Sequence, residues 1–183
     1  YYSHRYTNAE YSVSEICDSI EIQTKTYDID FIASDEENVR VLCSEEKGLT
    51  HSVETEDGKL VIKTLDTRRW YQKIIDFPGK KITVFLPYGA YKSLIINNNT
   101  GKVSIPSDFS FENINISLST GDVTNCASAS ESLVICTNTG SVNISNVHAG
   151  DINVSVSTGA VMLENITCNS LNSIGSTGKA SVK

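Results

Sequence analysis

Carboxylates are the first candidates for chemistry in this sequence of 183 residues. A pair of Asp or Glu side chains on one outer face could cleave a polysaccharide by acid and base catalysis. Asp28 and Asp30 share one strand face, but such acids usually keep an outer face soluble. The acidic residues in the regular rungs are Asp108, Glu112, Asp122, Glu131, Asp151 and Glu164. Asp122 alone directly follows a repeated Thr-Gly motif, so no second carboxylate is stacked at that position of a neighbouring rung. A polysaccharide-cleaving enzyme is therefore the least favoured function, and we predict no catalytic residues.

Histidines and cysteines do not occur in patterns that bind metals. His4, His51 and His148 lie in three distant segments, without the short spacing that would preorganise a metal site. We expect them to be solvated or incidental. The five cysteines form no CxxC pair, which argues against both a zinc site and a disulfide framework. The sequence therefore predicts no metal and no cofactor.

The stretch Arg68-Arg69-Trp70-Tyr71 is the best candidate for a binding surface. Exposed aromatic side chains next to arginine are typical of binding hot spots. Alternatively, the insertion near residues 66–81 folds over the open end of the structure and buries Trp70 as a cap. We favour the cap, because an uncovered end exposes unpaired strands.

Charge and hydropathy exclude two classes of function. The net charge of −7 and the isoelectric point of about 4.9 argue against nucleic acid as a partner. No apolar run approaches the ~20 residues that span a bilayer. Because the sequence starts at Tyr1 without a methionine, we expect a trimmed N-terminus, compatible with a membrane anchor upstream.

The elements that must position these residues follow from a repeat. Thr-Gly is followed two residues later by Val, or by Ala in the last copy, and the glycines lie 20, 19, 19 and 19 residues apart: Gly101, Gly121, Gly140, Gly159 and Gly178. Alternating apolar residues flank each glycine, as in half-buried strands, and glycine allows a corner with φ > 0. Such a period predicts an all-β, single-stranded parallel β-solenoid with rungs of about 19 residues. Right-handed winding is favoured for parallel crossovers.

The repeat also divides the chain. Residues 1–18 are polar and aromatic without a period, and we interpret them as a lead-in or linker. Residues 19–183 form the β-solenoid domain, with regular rungs over 93–183. Residues 20–31 superpose on a later rung, with Tyr27 in place of the glycine. This segment is predicted to be a degenerate first rung.

The rungs, together with the strand-then-proline element at residues 82–87, resemble the putative adhesin family of bacterial envelope proteins. The resemblance covers roughly residues 18–183 and implies an extracytoplasmic β-solenoid at the cell envelope or surface, often behind a membrane segment. It carries over no catalytic residues. We expect a non-enzymatic, adhesin-like module that binds a protein or glycan at the envelope. The alternative is a sensor or regulatory domain of an envelope-stress system.

Overall fold

The computed structural model describes residues 6–73 and 79–183. The described chain is all-β, with thirteen strands in one sheet and one short helix. The elements are β1 (Thr7–Val13), β2 (Ser19–Gln23), β3 (Asp28–Ser34), β4 (Val39–Glu45), β5 (Leu49–Glu56), β6 (Lys59–Asp66), α1 (Trp70–Lys73), β7 (Lys81–Pro87), β8 (Gly89–Thr100), β9 (Val103–Ile105), β10 (Phe109–Thr120), β11 (Val123–Asn125), β12 (Ser128–Thr139) and β13 (Val142–Val182). No helix in the described ranges is long and apolar enough to cross a membrane.

The repeats pair in parallel with their predicted register. Leu94 of β8 lies opposite Ile114 of β10, which lies opposite Leu133 of β12, and this residue in turn lies opposite Ile152 of β13. A shorter side is formed by β9, β11 and the start of β13. Every apolar residue in these rows is buried, because alternate side chains of a strand point to the same face. The stacked rungs therefore enclose one continuous core.

The degenerate first rung is present. Ile20 of β2 lies opposite Leu94, and Ile29 of β3 lies opposite Val103, so residues 20–31 pair in parallel with the first regular rung. Tyr27 occupies the corner beneath Gly101, and its ring is buried. A full rung can therefore form with Tyr27 in place of a corner glycine.

The N-terminal part of the sheet departs from a purely parallel arrangement. The pairs β1 with β4, β4 with β7, and β5 with β6 are antiparallel. Strands β5 and β6 form a hairpin through Asp57 and Gly58, both with φ > 0, a two-residue turn that matches the twist of antiparallel strands. The prediction of an all-β chain is confirmed, but a parallel solenoid throughout residues 19–183 is too simple, because the sheet is mixed.

The predicted lead-in also contains a strand. Strand β1 pairs with β4 along its whole length, from Thr7 opposite Glu45 to Val13 opposite Val39. Residues 1–5 of the lead-in lie outside the described residues. The sequence hides this strand because β1 carries few apolar residues, and its pairing partners in β4 lie 26 to 38 residues away in sequence.

The corner glycines are explained by close stacking. Gly121 has φ 144°, and a Cβ added there would overlap the carbonyl oxygen of Gly101 and lie 2.8 Å from its carbonyl carbon. Each regular corner from Gly101 to Gly178 meets the backbone of the rung before it in the same way. Only glycine fits where one backbone approaches another this closely.

Candidate functional site

The predicted insertion is anchored by Arg68. Its guanidinium is buried and donates from Nε and Nη2 to the two carboxylate oxygens of Asp66, at 2.9 and 3.0 Å, and from Nη1 to Glu46 Oε1 at 2.7 Å. The hydrogen bonds from Arg68 lower the pKa of Asp66. Such a bidentate pair fixes geometry. Arg68 therefore holds the insertion to the hairpin and presents little surface to a ligand.

The next residues project from the sheet. Trp70 is 75% exposed and Tyr71 is 49% exposed, with their rings edge to face at a centroid distance of 5.9 Å. Arg69 donates from Nη1 to the Tyr71 hydroxyl at 3.5 Å, and its backbone N–H donates to Gln72 Oε1 at 2.9 Å. We call Arg69, Trp70 and Tyr71 the aromatic protrusion. The interpretation that Trp70 is buried as a cap is wrong, while residues 74–78 of the predicted insertion lie outside the described residues.

A cavity of about 260 Å³ lies beside the protrusion. Its charged lining consists of Lys25, Asp66, Arg68, Lys73 and Lys80, around the ring of Tyr27. We call it the cationic cavity. The Lys80 side chain is buried with its ammonium 5.1 Å from the centroid of the Tyr27 ring, and Lys73 Nζ donates to the backbone oxygen of Asp66 at 3.4 Å. Among the lining residues that the structure describes, Asp66 is the acidic one, and it pairs with both Arg68 and Lys73.

The lysines come together through strand pairing that the sequence did not predict. Strand β2 pairs in parallel with β6, which brings the residues after Gln23 beside those after Lys63. The backbone N–H of Asp28, at the start of β3, donates to the carbonyl of Lys80 at 2.9 Å. Lys25 is otherwise far from Lys73 and Lys80 in sequence. The basic pair Lys80-Lys81 at the start of β7 was the local signal that could have indicated this cavity.

A shallow groove adjoins the cationic cavity and shares Lys25 and Thr64 with it. Its volume is about 560 Å³. Amide, hydroxyl and ammonium groups line it: Gln23, Lys63, Asn97, Asn99, Ser117 and Ser119. We call it the polar groove. Side chains of this kind can hydrogen-bond to the hydroxyl groups of a ligand.

Behind the cavity lies a buried polar cluster. Glu45 Oε1 accepts hydrogen bonds from the backbone N–H of His51 at 2.8 Å, from His51 Nδ1 at 3.0 Å and from the Tyr11 hydroxyl at 2.7 Å. Burial lowers the pKa of His51, whereas burial and the Glu45 carboxylate raise the pKa of Tyr11 to about 12. Burial also raises the pKa of Cys43 to about 12. His51 and Cys43 are buried, so their shifted pKa values reflect packing inside the fold, while Tyr11 and Glu45 are half-buried at its edge.

Histidine placement corrects part of the sequence analysis. We predicted solvated or incidental histidines, but His51 is buried against the Tyr27 ring at a centroid distance of 4.9 Å. His148 is exposed, and His4 lies outside the described residues. No cluster of three or more His, Cys, Asp or Glu side chains in the described ranges could hold a metal ion, and all five cysteines are free.

Carboxylates on the regular rungs bond to neighbouring rungs. Asp122 accepts from the backbone N–H of Ser141 at 2.9 Å, and Asp151 accepts from the Ser170 hydroxyl at 2.6 Å. Glu131 accepts from the Asn113 amide at 2.9 Å. Each of these acids therefore joins one rung to the next along the stack.

A third depression, of about 790 Å³, runs across successive rungs. Tyr91 and Phe111 face each other there at a centroid distance of 5.6 Å, but Phe111 is buried, and the Tyr91 hydroxyl donates to the carbonyl of Pro87 at 2.7 Å. An ion pair between Lys92 and Asp18 lies at its edge, at 2.6 Å. The depression therefore offers little aromatic surface to a ligand.

Family comparison agrees with the stacked rungs. Residues 17–179 match the family model described as Toastrack DUF4097. The chain belongs to the Toastrack DUF4097 family. The family resemblance predicted from the rungs and the strand before them is thereby confirmed. The match begins just before β2, so it covers the degenerate first rung as well as the regular rungs and leaves out β1.

Several solved structures resemble this Toastrack chain. A putative cell adhesion protein from Clostridium sporogenes is 10% identical with a TM-score of 0.49, and the alignment covers 97% of this chain and 99% of that protein. A putative adhesin from Bacteroides fragilis is 15% identical with a TM-score of 0.49, covering 98% of both chains. A putative lipid binding protein from Parabacteroides distasonis is 13% identical with a TM-score of 0.35, covering 96% and 97%. No curated relative matches the sequence.

Proposed function

We propose that this chain is a non-enzymatic, adhesin-like binding module that contacts a protein or glycan of the cell envelope through the aromatic protrusion. The observation that carries the proposal is the exposure of Trp70 and Tyr71 on a segment that Arg68 fixes to the sheet. Large aromatic side chains held in place at low entropic cost are the usual anchors of binding surfaces. Of the four residues predicted for binding, Arg69, Trp70 and Tyr71 would contact the partner, and Arg68 would position them.

The arrangement of polar groups supports a role without catalysis. Cys43, whose pKa burial raises to about 12, is fully buried in the wall of the fold, where a substrate would not reach it. The rung carboxylates Asp122, Glu131 and Asp151 each hydrogen-bond to an adjacent rung. A glycosidase needs two carboxylates placed across a bond of the substrate. These acids instead support the stack.

Family membership supports an extracytoplasmic location for the module, at the bacterial envelope or surface, with an anchor upstream of Tyr1. In this proposal, residues 19–183 together with strand β1 form the binding domain. The parallel rungs would wind as a right-handed solenoid, the hand that parallel crossover connections prefer. A stiff stack of this kind would hold the aromatic protrusion at a fixed distance from the anchor.

The test is binding of the purified protein to a glycan array and to envelope proteins, with Trp70→Ala compared against Tyr88→Ala. Tyr88 is also exposed, at 59%, but lies outside the protrusion, so the control removes a similar aromatic ring. We expect saturable binding that Trp70→Ala weakens at least tenfold, roughly the loss of a hot-spot side chain, with an unchanged melting temperature. Equal binding by Trp70→Ala and wild type would refute the site. Binding confined to a membrane protein would favour the sensor domain.

A further inference from the structure

One edge of the stack is uncovered among the residues that the structure describes. We call residues 165–183 the outer rung. It stacks closely on the rung before it, since a Cβ added at Gly178 would overlap the carbonyl oxygen of Gly159. On its other side no described strand pairs with it, and residues 169–180 are all exposed. Unpaired backbone N–H and C=O groups therefore face outward along this rung.

The outer rung lacks the usual protection of an exposed edge. Natural proteins place charges, prolines or bulges on edges that must not pair with another chain. No charged residue and no proline occurs from Asn165 to Gly178. The strands at the two ends of the sheet order differ, because β1 carries Glu10, and β5 carries Glu54 and Glu56. The outer rung is thus the edge that is suited to pairing with another chain.

Small inward side chains leave a pit in this rung. Ser173, Gly175 and Ala180 take the places of three valines that lie 19 residues earlier, in the rung before. Together with Val156 and Val161 of that rung they line a pit of about 290 Å³. The end of the apolar core lies directly beneath the pit, so a surface that covers the outer rung would close the core.

Large apolar side chains of the outer rung are exposed as well. Leu171 and Val182 belong to the inward rows of the repeat, yet they are 41% and 64% exposed because no described rung covers them. Ile174, on the same strand as Leu171, is also exposed. Apolar side chains exposed together with an unpaired edge mark an interaction surface.

We propose that the outer rung is the interface of a homodimer, in which a second copy of this chain pairs with it edge to edge. A two-fold axis that lies in the plane of the rung and perpendicular to its strands makes the two edges antiparallel and keeps the inward side chains of both copies on the core side. The two pits then face each other, and the core continues from one copy into the next.

The charge distribution favours a second copy as the occupant. An interface with two-fold symmetry places the same patch of both copies in contact, so a charged patch meets its own charge and is repelled. The protein has a net charge of −7, but the stretch from Asn165 to Gly178 carries none. The outer rung can therefore contact its own copy without this repulsion.

The dimer also sets the direction of the remaining surfaces. Strands β1, β5 and β6 lie at the ends of the sheet order, away from the outer rung, and the aromatic protrusion follows β6. Pairing through the outer rung leaves the two protrusions free and directs them away from each other. The assembly closes at two copies, because a symmetric interface uses the same edge of both chains. This inference does not depend on whether the protrusion binds a partner.

Sedimentation velocity of the purified protein at several concentrations tests the interface. We expect a species of twice the chain mass of 20.0 kDa, which dissociates on dilution. Ser173→Asp adds a carboxylate that is solvated in the monomer and buried next to its own copy in the dimer. We expect this variant to raise the dissociation constant of the dimer about tenfold or more.

A second variant blocks the edge without adding charge. Val103 and Val123, which hold the position of Ala180 in earlier rungs, donate their backbone N–H to the rung that follows. Ala180→Pro therefore removes an N–H at the open edge and leaves the ladder within the monomer intact. We expect it to weaken the dimer about tenfold or more as well. Circular dichroism shows whether each variant is folded.

The matched control is Ser157→Asp, which makes the same change at an exposed serine outside the pit and is expected to dimerise like the wild type. A protein that is monomeric at every concentration would overturn the proposal, as would an assembly that grows beyond two copies. Equal weakening by Ser157→Asp and Ser173→Asp would mean that added charge alone acts and would overturn the interface. A dimer lost in Trp70→Ala but kept in Ser173→Asp would place the contact at the aromatic protrusion instead.

Discussion

Replacing Gly121 by alanine tests the stacking of the corners. Gly121 has φ 144°, in a region that L side chains rarely adopt, and the added Cβ would overlap the carbonyl oxygen of Gly101. The obstacle is backbone, so no rotamer change can relieve it. Either the two rungs move apart, which weakens their ladder of hydrogen bonds, or the corner changes conformation and shifts the strands on both sides.

Two costs add at this position. Backbone strain of this kind costs about 1–3 kcal/mol, and forcing extra volume into a packed site costs about 1–3 kcal/mol. Alanine also reduces the entropy of the unfolded chain, which returns about 0.4–1 kcal/mol. We therefore expect Gly121→Ala to lower the free energy of unfolding by about 1–5 kcal/mol, or the melting temperature by roughly 2–20 °C.

Two control variants separate these costs. Gly58 has φ 77°, but a Cβ there comes no closer than 3.8 Å to another residue, so Gly58→Ala carries only the conformational cost of about 1–2 kcal/mol. Gly175 has neither a left-handed φ nor a close obstacle, so Gly175→Ala should be nearly neutral. Urea and thermal unfolding measure all three. If Gly121→Ala is as stable as Gly58→Ala, the backbones of successive rungs do not approach as closely as we describe.

Two further predictions concern buried charge. Arg68→Met removes the guanidinium that binds the buried carboxylates of Asp66 and Glu46, and it is expected to cost about 3–5 kcal/mol in urea unfolding. Loss of the half-exposed ion pair in Lys59→Gln costs about 1 kcal/mol or less, and similar values for both variants would contradict the anchoring role. Because burial lowers the pKa of His51, the folded state binds fewer protons than the unfolded state below about pH 6.5, so the melting temperature should fall from pH 7.5 to pH 5.5. His51→Gln should reduce this decline and the exposed His148→Gln should not; an unchanged slope in His51→Gln would refute the assignment.

Sequence reasoning was most successful where the interactions repeat. The corner glycines and the apolar rows follow from a fixed period, so each rung predicts its neighbour, and even Tyr27 could be placed at a corner. It was least successful for the antiparallel strands, since the pairing of β1 with β4 leaves no periodic signal. The buried His51 was missed for a similar reason, because Glu45 and Tyr11 satisfy it through pairings between strands.

The candidate site shows the same division. The composition of the insertion left a binding surface and a cap over Trp70 open, and the favoured cap is wrong because Trp70 is exposed. It could not reveal that Arg68 turns inward, because this depends on Asp66 and Glu46 lying within hydrogen-bond distance of its guanidinium. The cationic cavity was not predicted at all.

The sequence by itself determined that the chain is all-β and built from stacked rungs, because a period of 19 or 20 residues with alternating apolar side chains leaves few other ways to bury them. The tertiary structure alone decided the charged site. Lys25 and Lys80 meet because β2 pairs with β6 and β3 pairs with β7. These contacts between distant strands depend on the mixed N-terminal part of the sheet, where no repeat fixes which strands become neighbours.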